Sequence, residues 1–278
     1  MSGGRSASGA RWVERHGPWA VVTGASDGIG RALARGCAAR GLNLVLVARR
    51  KERLEDEAAT LMKTFGIQCL VIVLDLGHPS ASQALLDTTA DLDVGLLVAA
   101  AGYGTSGAMI ENAIDAEADM LSVNCGSTLV LSHGFGKRMA ARGRGGMVLF
   151  SSILAFQGVA LAANYAATKA YVQTLAEGLN AEFSPRGVSV LACAPGPVRT
   201  GFAKRAGLSV GMALAPEVVA EAVLRAVGGG GTHRPGWLSR ILTLSMVGQT
   251  RTMRSFILGR VMRSMVQAAT AAKARSAA

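Results

Sequence analysis

Short runs of consecutive apolar residues alternate with longer segments of helical periodicity over most of the chain. Uninterrupted apolar runs of this kind are typical of strands buried on both faces of a parallel sheet. The longer segments repeat apolar residues at helical spacing, and several end in glycine, which commonly stops a helix. The pattern predicts strands at 19–25, 43–49, 69–76, 94–102, 146–152 and 188–196, and helices at 28–41, 51–66, 80–93, 112–141, 164–183 and 216–227.

Repeated strand–helix alternation predicts an α/β fold, a single Rossmann-type doubly wound parallel sheet with helices on both faces. A chain of 278 residues is long enough to bury one such core in a single domain. Sheets of this type bind their ligands at the carboxyl ends of the strands. The predicted strand ends are therefore the positions to inspect: Gly24, Arg49, Asp75, Gly102, Ser152 and Pro195.

Two segments flank this pattern. Residues 1–17 are polar and lack the apolar stretch of a secretory signal, so we expect a flexible leader there. The sheet domain is expected to cover 18–230. Residues 231–278 are predicted to form a basic helical extension, connected through a flexible glycine-rich joint at 228–237.

Composition and charge narrow the possible functions. Half of the residues are apolar and 17% are charged, which excludes a disordered chain. The net charge of +11 is concentrated at the C-terminal end, where no acidic residue follows Glu221. This extension could cover a substrate cleft or lie on an anionic membrane surface, or it could be a dimer or core-packing element whose arginines face water. Its basic residues are Arg234, Arg240, Arg251, Arg254, Arg260, Arg263, Lys273 and Arg275.

Several kinds of site are not expected. The four cysteines form no CxxC pair, so we expect reduced, buried side chains and a cytoplasmic location. The four histidines lack metal-ligand spacing, and we predict no metal site. Aromatic residues are too scarce among the basic ones to predict nucleic-acid binding. No uncharged apolar stretch reaches the length of about 18 residues that a membrane span needs.

A glycine-rich turn follows the first predicted strand. Its sequence, TGASDGIG at 23–30, places Gly24, Gly28 and Gly30 where a helix is predicted to begin. Glycines let backbone N–H groups approach a pyrophosphate, and the dipole of a helix N-terminus favours an anion. A purely structural loop could have the same glycines, but the position after the first strand of an α/β pattern favours dinucleotide binding.

The second predicted strand runs into Arg49, Arg50 and Lys51, with no acidic residue at its end. An acid at this position would bind the ribose 2′-hydroxyl of NAD, whereas a cation pairs with the 2′-phosphate of NADP. We therefore predict NADP(H) in preference to NAD(H), with Arg49 as the main contact. The alternative is that these cations form only the solvated start of the next helix.

Tyr165 and Lys169 lie one helical turn apart in a predicted helix, so both side chains share a face. A phenol with a pKa near ~10 is a poor base at neutral pH, but a nearby ammonium lowers that pKa. Such a tyrosine could protonate the alkoxide that forms when a carbonyl is reduced. Ser152, at the end of the fifth strand, could hold the substrate oxygen.

These motifs together resemble the classical short-chain dehydrogenase/reductase family. The matching segments are TGASDGIG (23–30), Asp75, Asn124, Ser152, YAATK (165–169) and PGPVRT (195–200). They occur in the order and spacing of the family from about residue 18 to about residue 200. One segment departs from it, because AAAG at 99–102 stands where the family usually has Asn-Asn-Ala-Gly. We expect altered local packing there and retained cofactor binding.

The resemblance implies a role for each matched position. Tyr165 would be the general acid/base, Lys169 would lower its pKa and hold the nicotinamide ribose, and Ser152, favoured over Ser151, would orient the carbonyl. Asn124 would bend its helix and anchor a proton-relay water. The implied catalytic set is Asn124, Ser152, Tyr165 and Lys169, and the cofactor-binding set is Gly24, Ser26, Asp27, Gly28, Ile29, Gly30, Arg49, Asp75, Leu76, Ala101, Gly102, Tyr165, Lys169, Pro195, Gly196, Val198 and Thr200.

The expected function is that of an NADP(H)-dependent oxidoreductase that interconverts a carbonyl and a secondary alcohol by hydride transfer. Similarity to the family branch with ketoacyl-CoA and steroid reductases suggests a bulky apolar ketone or 3-oxoacyl compound, with a substrate-covering loop at 201–215. The alternative is a non-catalytic dinucleotide-binding sensor or scaffold. The resemblance also implies a homodimer or homotetramer formed through the helices at 112–141 and 164–183.

Overall fold

The computed structural model describes residues 7–209 and 211–277, and in these ranges the chain forms a seven-stranded parallel sheet. The strand order is β3-β2-β1-β4-β5-β6-β7, so the winding direction reverses between β1 and β4. The predicted Rossmann-type fold is confirmed. The strands are β1 Trp19–Thr23, β2 Asn43–Ala48, β3 Cys69–Val73, β4 Val94–Ala99, β5 Gly145–Phe150, β6 Val188–Cys193 and β7 Gly231–His233.

Helices cover both faces of the sheet. Because successive strand residues point to opposite faces, Val22 and Leu46 pack against one helical layer and Val21 and Val45 against the other. The first layer contains α2, α3 and α9, and the second contains α4, α6 and α7. The helices are α1 Ala7–His16, α2 Gly28–Ala39, α3 Lys51–Phe65, α4 Ala81–Thr88, α5 Ile114–Leu121, α6 Ser127–Arg142, α7 Ala163–Phe183, α8 Gly201–Arg205, α9 Pro216–Ala226, α10 Gly236–Leu244 and α11 Arg251–Ala277.

The expected flexible leader is wrong for its described part, since residues 7–16 form α1; residues 1–6 lie outside the described ranges. The helix is held because Trp12 and Val13 pack against the core, an apolar contact that the polar composition did not suggest. His16 at its end is buried, and its Nδ1 lies 3.0 Å from the Trp12 carbonyl oxygen. Arg144 donates to the Gly17 carbonyl at 2.8 Å and ties the leader to the sheet domain.

The glycine-rich joint at 228–237 was expected to be flexible, but it contains β7 and the start of α10. β7 pairs in parallel with β6, with Leu191 opposite Gly231 and Cys193 opposite His233. The backbone N–H of Ala194 also donates to the His233 carbonyl at 2.9 Å. Main-chain pairing with β6 orders this segment, and it fixes where the C-terminal helices begin. No helix within the described ranges is long and apolar enough to cross a membrane.

Candidate active site

A cavity of about 1100 Å³ runs along the carboxyl ends of the central strands. Its walls include every position predicted to bind the cofactor, together with Ser152, Tyr165 and Lys169. Asn124 lies behind the wall. The cavity is at the place where the strand order reverses, which is where sheets of this type bind nucleotides.

The glycine-rich turn forms the floor of the cavity at the end of β1. Gly24 has a φ of +67°, and a Cβ atom on it would lie 2.9 Å from the Ala100 carbonyl oxygen. A Cβ on Gly30 would lie 2.4 Å from the Gly24 oxygen. Asp27 caps α2 by accepting a hydrogen bond of 2.8 Å from the Gly28 N–H. The turn therefore needs glycine at these positions and directs the start of α2 into the cavity.

Two arginines follow β2, and they make different contacts. Arg49 donates to Asp75 at 3.4 Å, a pair in which both side chains are about half exposed. Arg50 instead reaches back to the glycine-rich turn, where it donates to the Ser26 hydroxyl at 3.0 Å and lies 3.5 Å from a carboxylate oxygen of Asp27. The sequence had singled out Arg49 alone, but both guanidinium groups line the same end of the cavity.

The AAAG segment after β4 is held by side chains from elsewhere in the fold. The hydroxyl of Thr23 accepts a hydrogen bond of 3.0 Å from the Ala101 N–H. The Asn124 side chain accepts from the Tyr103 N–H at 3.1 Å and donates to the Tyr103 carbonyl at 2.9 Å. These three bonds fix the backbone where the family's usual amide side chains are missing.

Asn124 is buried within a break in the predicted long helix 112–141. Residues Ser122–Gly126 form a π-helical turn between α5 and α6. The widened turn faces Asn124 toward α7, where it donates to the Thr168 hydroxyl at 3.0 Å. The local bend that the family resemblance implied is therefore present. The described contacts give the side chain a positioning role on Tyr103 and α7.

Ser151 and Ser152 both border the cavity but have different partners. The Ser151 hydroxyl donates to the Lys169 carbonyl at 3.1 Å, so it is engaged with the backbone of α7. Ser152 caps the short 3₁₀ helix that follows β5 by accepting from the Leu154 N–H at 3.2 Å, and its hydroxyl is near enough to Tyr165 to oppose the rise of the phenol pKa. Ser151 is thus engaged with α7, which favours Ser152 as the partner of the tyrosine.

Tyr165 and Lys169 lie on the first turns of α7, with the Lys169 ammonium 5.7 Å from the centre of the Tyr165 ring. Lys169 is buried and donates to the Phe150 carbonyl at 2.8 Å. Burial lowers the pKa of Lys169 to about 8, because the charged ammonium is poorly solvated there.

The net pKa of the Tyr165 phenol is raised in this structure, although the neighbouring ammonium was expected to lower it. Burial raises the pKa of Tyr165 to about 12, and the hydrogen bond with Ser152 opposes part of that rise. The physical reason is that a buried phenolate loses its hydration, and this loss outweighs the stabilisation by the Ser152 hydroxyl. Tyr165 is therefore a protonated donor over the physiological range.

The PGPVRT segment joins the catalytic strand ends to the C-terminal half. Pro195 accepts a hydrogen bond of 3.2 Å from the Ile153 N–H, and the Gly196 N–H donates to the Ser239 hydroxyl at 2.8 Å. Ser239 belongs to α10 and is fully buried. The C-terminal extension is thus attached directly to the cofactor end of the cavity.

Apolar side chains enclose the other end of the cavity. Phe202 of α8 lies against Tyr165, with ring centres 5.4 Å apart. The loop that follows α8 is tied to α11 by a hydrogen bond of 3.2 Å from the Ser209 N–H to the Met265 carbonyl. Of the open alternatives for the extension, the structure supports the one in which it covers the cleft. Its lining residues are Leu242, Ser245, Met246, Ile257, Leu258, Val261, Met262 and Met265.

Comparison with known families agrees with this geometry. Residues 18–209 match the family model described as short chain dehydrogenase. The chain belongs to the short-chain dehydrogenase family. At the level of that family, the expectation of an NAD(P)-dependent oxidoreductase is confirmed.

Three relatives illustrate the similarity of this short-chain dehydrogenase to known proteins. It is 32% identical to a 7beta-hydroxysteroid dehydrogenase of Clostridium sardiniense over 67% of the chain and 72% of that protein. It is 33% identical to a very-long-chain 3-oxoacyl-CoA reductase-like protein of Arabidopsis thaliana over 81% of the chain and 75% of that protein. A short-chain dehydrogenase from Sphingobium yanoikuyae, solved in complex with NADPH, superposes with a TM-score of 0.76 at 30% identity, covering 84% of this chain and 93% of that one.

The chain spans 58 to 62% of the length of the vertebrate relatives that it matches. Two of them, from Pongo abelii and Homo sapiens, are named inactive hydroxysteroid dehydrogenase-like protein 1. Membership of the short-chain dehydrogenase family therefore leaves open what this member acts on.

The sequence did not predict a site role for three residues of this short-chain dehydrogenase. Thr23 is the last residue of β1, and nothing in the local sequence indicates that its hydroxyl binds the Ala101 N–H. Arg50 is adjacent to Arg49 and cannot be distinguished from it without side-chain geometry. Ser239 lies far along the chain from Gly196, and no local pattern relates the two.

Proposed function

We propose that this short-chain dehydrogenase uses NADP(H) to interconvert a bulky apolar ketone and the corresponding secondary alcohol. The observation that carries the proposal is the cavity itself, since a long apolar chamber converges on Tyr165 and Ser152 while two arginines lie at its far end. Its volume of about 1100 Å³ is sufficient for a dinucleotide together with part of a large substrate.

The residues present fit a nicotinamide dinucleotide. The turn at 23–30 is a cradle that any Cβ at Gly24 or Gly30 would fill, as a close approach of pyrophosphate to the backbone requires. Arg49 and Arg50 would hold a 2′-phosphate, and Lys169 would hold the nicotinamide ribose. When bound, NADPH supplies the hydride that reduces the carbonyl carbon.

The chain's own residues would supply the polar chemistry. The Ser152 hydroxyl would hydrogen-bond the substrate oxygen and hold the carbonyl beside Tyr165. Tyr165, protonated because burial keeps its pKa at about 12, would donate its proton as negative charge develops on that oxygen. The Lys169 ammonium would favour the phenolate that results.

The substrate end supports a large apolar molecule. Met246, Met262 and Met265 line it, and thioether side chains adapt to irregular apolar shapes. The relatives named for hydroxysteroids and 3-oxoacyl thioesters are consistent with this class.

The oligomeric state is also proposed, as a homodimer built on α5 to α7. Besides Ile114 at the start of α5, four apolar side chains on these helices are exposed, and an isologous interface between two copies would cover them. Size-exclusion chromatography with light scattering tests the proposed dimer. The wild type should be dimeric and Leu129→Asp monomeric. A monomeric wild type would contradict the proposed dimer. The residues are Leu121, Leu129, Val130 and Tyr171.

The decisive experiment follows NADPH oxidation with steroid ketones, 3-oxoacyl thioesters and small cyclic ketones. We expect turnover with at least one bulky substrate and its loss in Tyr165→Phe. Tyr171→Phe, on the same helix but exposed, is the matched control and should retain activity. Full turnover by Tyr165→Phe would overturn the mechanism. NADPH binding without turnover of any carbonyl would favour the alternative sensor or scaffold.

A second variant tests the substrate class. Leu242→Trp narrows the apolar end of the cavity at a residue outside the apolar cluster that packs against Tyr165. It should reduce kcat/KM for bulky ketones by at least about tenfold, an effect of about 1.4 kcal/mol. Its kcat/KM for a small cyclic ketone should change little, and an equal loss for both would contradict the assignment.

A further inference from the structure

The helices that enclose the cavity carry a second apolar surface on their outer side. On α10, Trp237, Ile241 and Leu244 follow one another at helical spacing and are 57%, 53% and 68% exposed. Val247 continues the row just after the helix, and Met253 and Phe256 project from the start of α11. We call these six side chains the outer apolar row.

The inner side of the same helices is already in use. Leu238 and Leu258 are buried, and Leu242 and Met246 line the cavity. α10 is therefore apolar on two sides, of which cavity packing explains only one. Large apolar side chains exposed in such close succession along the chain mark an interaction surface more often than scattered ones do.

The charges beside the row are all positive. Arg240 is exposed on α10, and Arg251, Arg260 and Arg263 are exposed on α11. No acidic residue follows Glu221 in the chain, and none of these four arginines pairs with a carboxylate among the described residues. The surface that would cover the row must therefore be both apolar and anionic.

An anionic phospholipid surface meets both requirements. We propose that α10 and the start of α11 dock on such a surface, with the outer apolar row at the acyl boundary and the arginines at the headgroups. Arginine suits this position because its long apolar stem can lie along the boundary while the guanidinium reaches the phosphates.

Two other occupants fit less well. In a symmetric pair of this chain, the row of one copy would face the same row of the other and bring like charges together with no carboxylate between them. A nucleic acid would satisfy the arginines but would leave most of the apolar side chains without a partner. Charge and apolarity together single out the lipid.

Docking has a consequence for the substrate that rests on the proposed function. The helices that carry the outer row, α10 and α11, also line the cavity. An apolar substrate dissolved in the lipid would meet the protein at this wall. Docking itself requires no substrate, so its test stands even if the proposed activity fails.

The test is flotation of the full chain with vesicles of phosphatidylcholine alone and of phosphatidylcholine mixed with phosphatidylglycerol. We expect the protein to float with the mixed vesicles, to remain behind with the neutral ones, and to be released by high salt. Blue-shifted Trp237 emission with the mixed vesicles, absent in Trp237→Phe, would place the row at the lipid.

Two sets of variants separate the contributions. Ile241→Ser with Leu244→Ser should abolish flotation, as should Arg251→Gln with Arg260→Gln and Arg263→Gln. Each set has a matched control that changes exposed residues elsewhere and should float normally. The apolar control is Phe65→Ser with Ile110→Ser, and the charge control is Lys63→Gln with Lys137→Gln and Arg186→Gln. All variants should keep the wild-type thermal midpoint, which shows that loss of flotation is not unfolding.

Four outcomes overturn the proposal. The first is an absence of flotation with either kind of vesicle. The second is flotation that survives both sets of variants. The third is a shift from dimer to monomer on Ile241→Ser with Leu244→Ser, which would assign the row to a second copy of the chain. Competition by RNA that displaces the protein without involving the row would assign the arginines to nucleic acid and equally overturn it.

Discussion

Ser239 on α10 accepts a hydrogen bond of 2.8 Å from the backbone N–H of Gly196, at the nicotinamide end of the cavity. This bond joins the C-terminal extension to a segment that the family uses for its cofactor. Ser239→Ala would leave a partly buried N–H without its partner, which costs roughly 1–3 kcal/mol. We expect a lower free energy of unfolding and weaker NADPH binding, measured by denaturant titration and by fluorescence. Ser264→Ala, on the exposed side of α11, is the control, and equal behaviour of the two variants would contradict a role for the bond.

The pH dependence of kcat/KM for reduction, on its alkaline side, should follow the ionisation of Lys169. Its pKa of about 8 means that the ammonium is lost as the pH rises through that value. Once neutral, Lys169 no longer favours the phenolate that proton transfer creates, so kcat/KM for reduction should fall above about pH 8. A pH profile measured with saturating NADPH checks this. A profile that stays flat to pH 10 would show that the charge on Lys169 is not needed.

The buried His16 should make stability depend on pH in the acid range. Burial lowers its pKa from 6.5 to about 4, so the folded protein resists a proton that the unfolded chain accepts. Stability is therefore fully present above the unfolded value and is lost as the pH falls from about 6.5 toward 4. The loss from this group is about 3 kcal/mol at its limit.

Urea titrations between pH 7 and pH 4 measure that dependence. In His16→Leu the free energy of unfolding should fall less between pH 7 and pH 4 than in the wild type, by about the 3 kcal/mol that His16 contributes. This difference does not depend on the effect of the substitution at neutral pH. His133→Gln, which changes an exposed histidine, should keep the wild-type dependence. Parallel curves for wild type and His16→Leu would rule out His16 as the cause.

Cofactor choice should depend on both arginines after β2. Because Arg49 and Arg50 border the same end of the cavity, Arg49→Ala and Arg50→Ala should each weaken NADPH binding by about tenfold or more and affect NADH little. Titration with both cofactors separates charge recognition from general damage. Lys63→Ala is an exposed control outside the cavity. Equal weakening of NADPH and NADH would refute the 2′-phosphate assignment.

The elements that the sequence predicted well are those with strong local signals. β2 is apolar after Asn43, β6 is apolar apart from Ser189, and α3 combines a charged amphipathic face with the glycine stop at Gly66. Such elements need little information from the rest of the chain. The order of motifs along them then placed Ser152, Tyr165 and Lys169 at one edge of the sheet.

The elements that the sequence missed depend on distant partners. β7 contains only Gly231, Thr232 and His233, which are ordered by the ladder to β6. The π-helical turn between α5 and α6, which accompanies the bonds of Asn124 to Tyr103 and Thr168, was implied by the family resemblance alone, because helical periodicity does not reveal it. The raised pKa of Tyr165 likewise reflects burial, which depends on packing from several elements.

The two C-terminal helices have a kinetic consequence. They enclose the apolar end of the cavity without contributing a strand to the sheet, and short hydrogen-bonded links such as Ser239 to Gly196 and Ser209 to Met265 hold them. Elements attached in this way can open locally at a lower free energy than global unfolding. We therefore expect the local opening equilibrium of this wall to set the rate at which a bulky product leaves, so that residence time and chemistry can evolve separately in this protein.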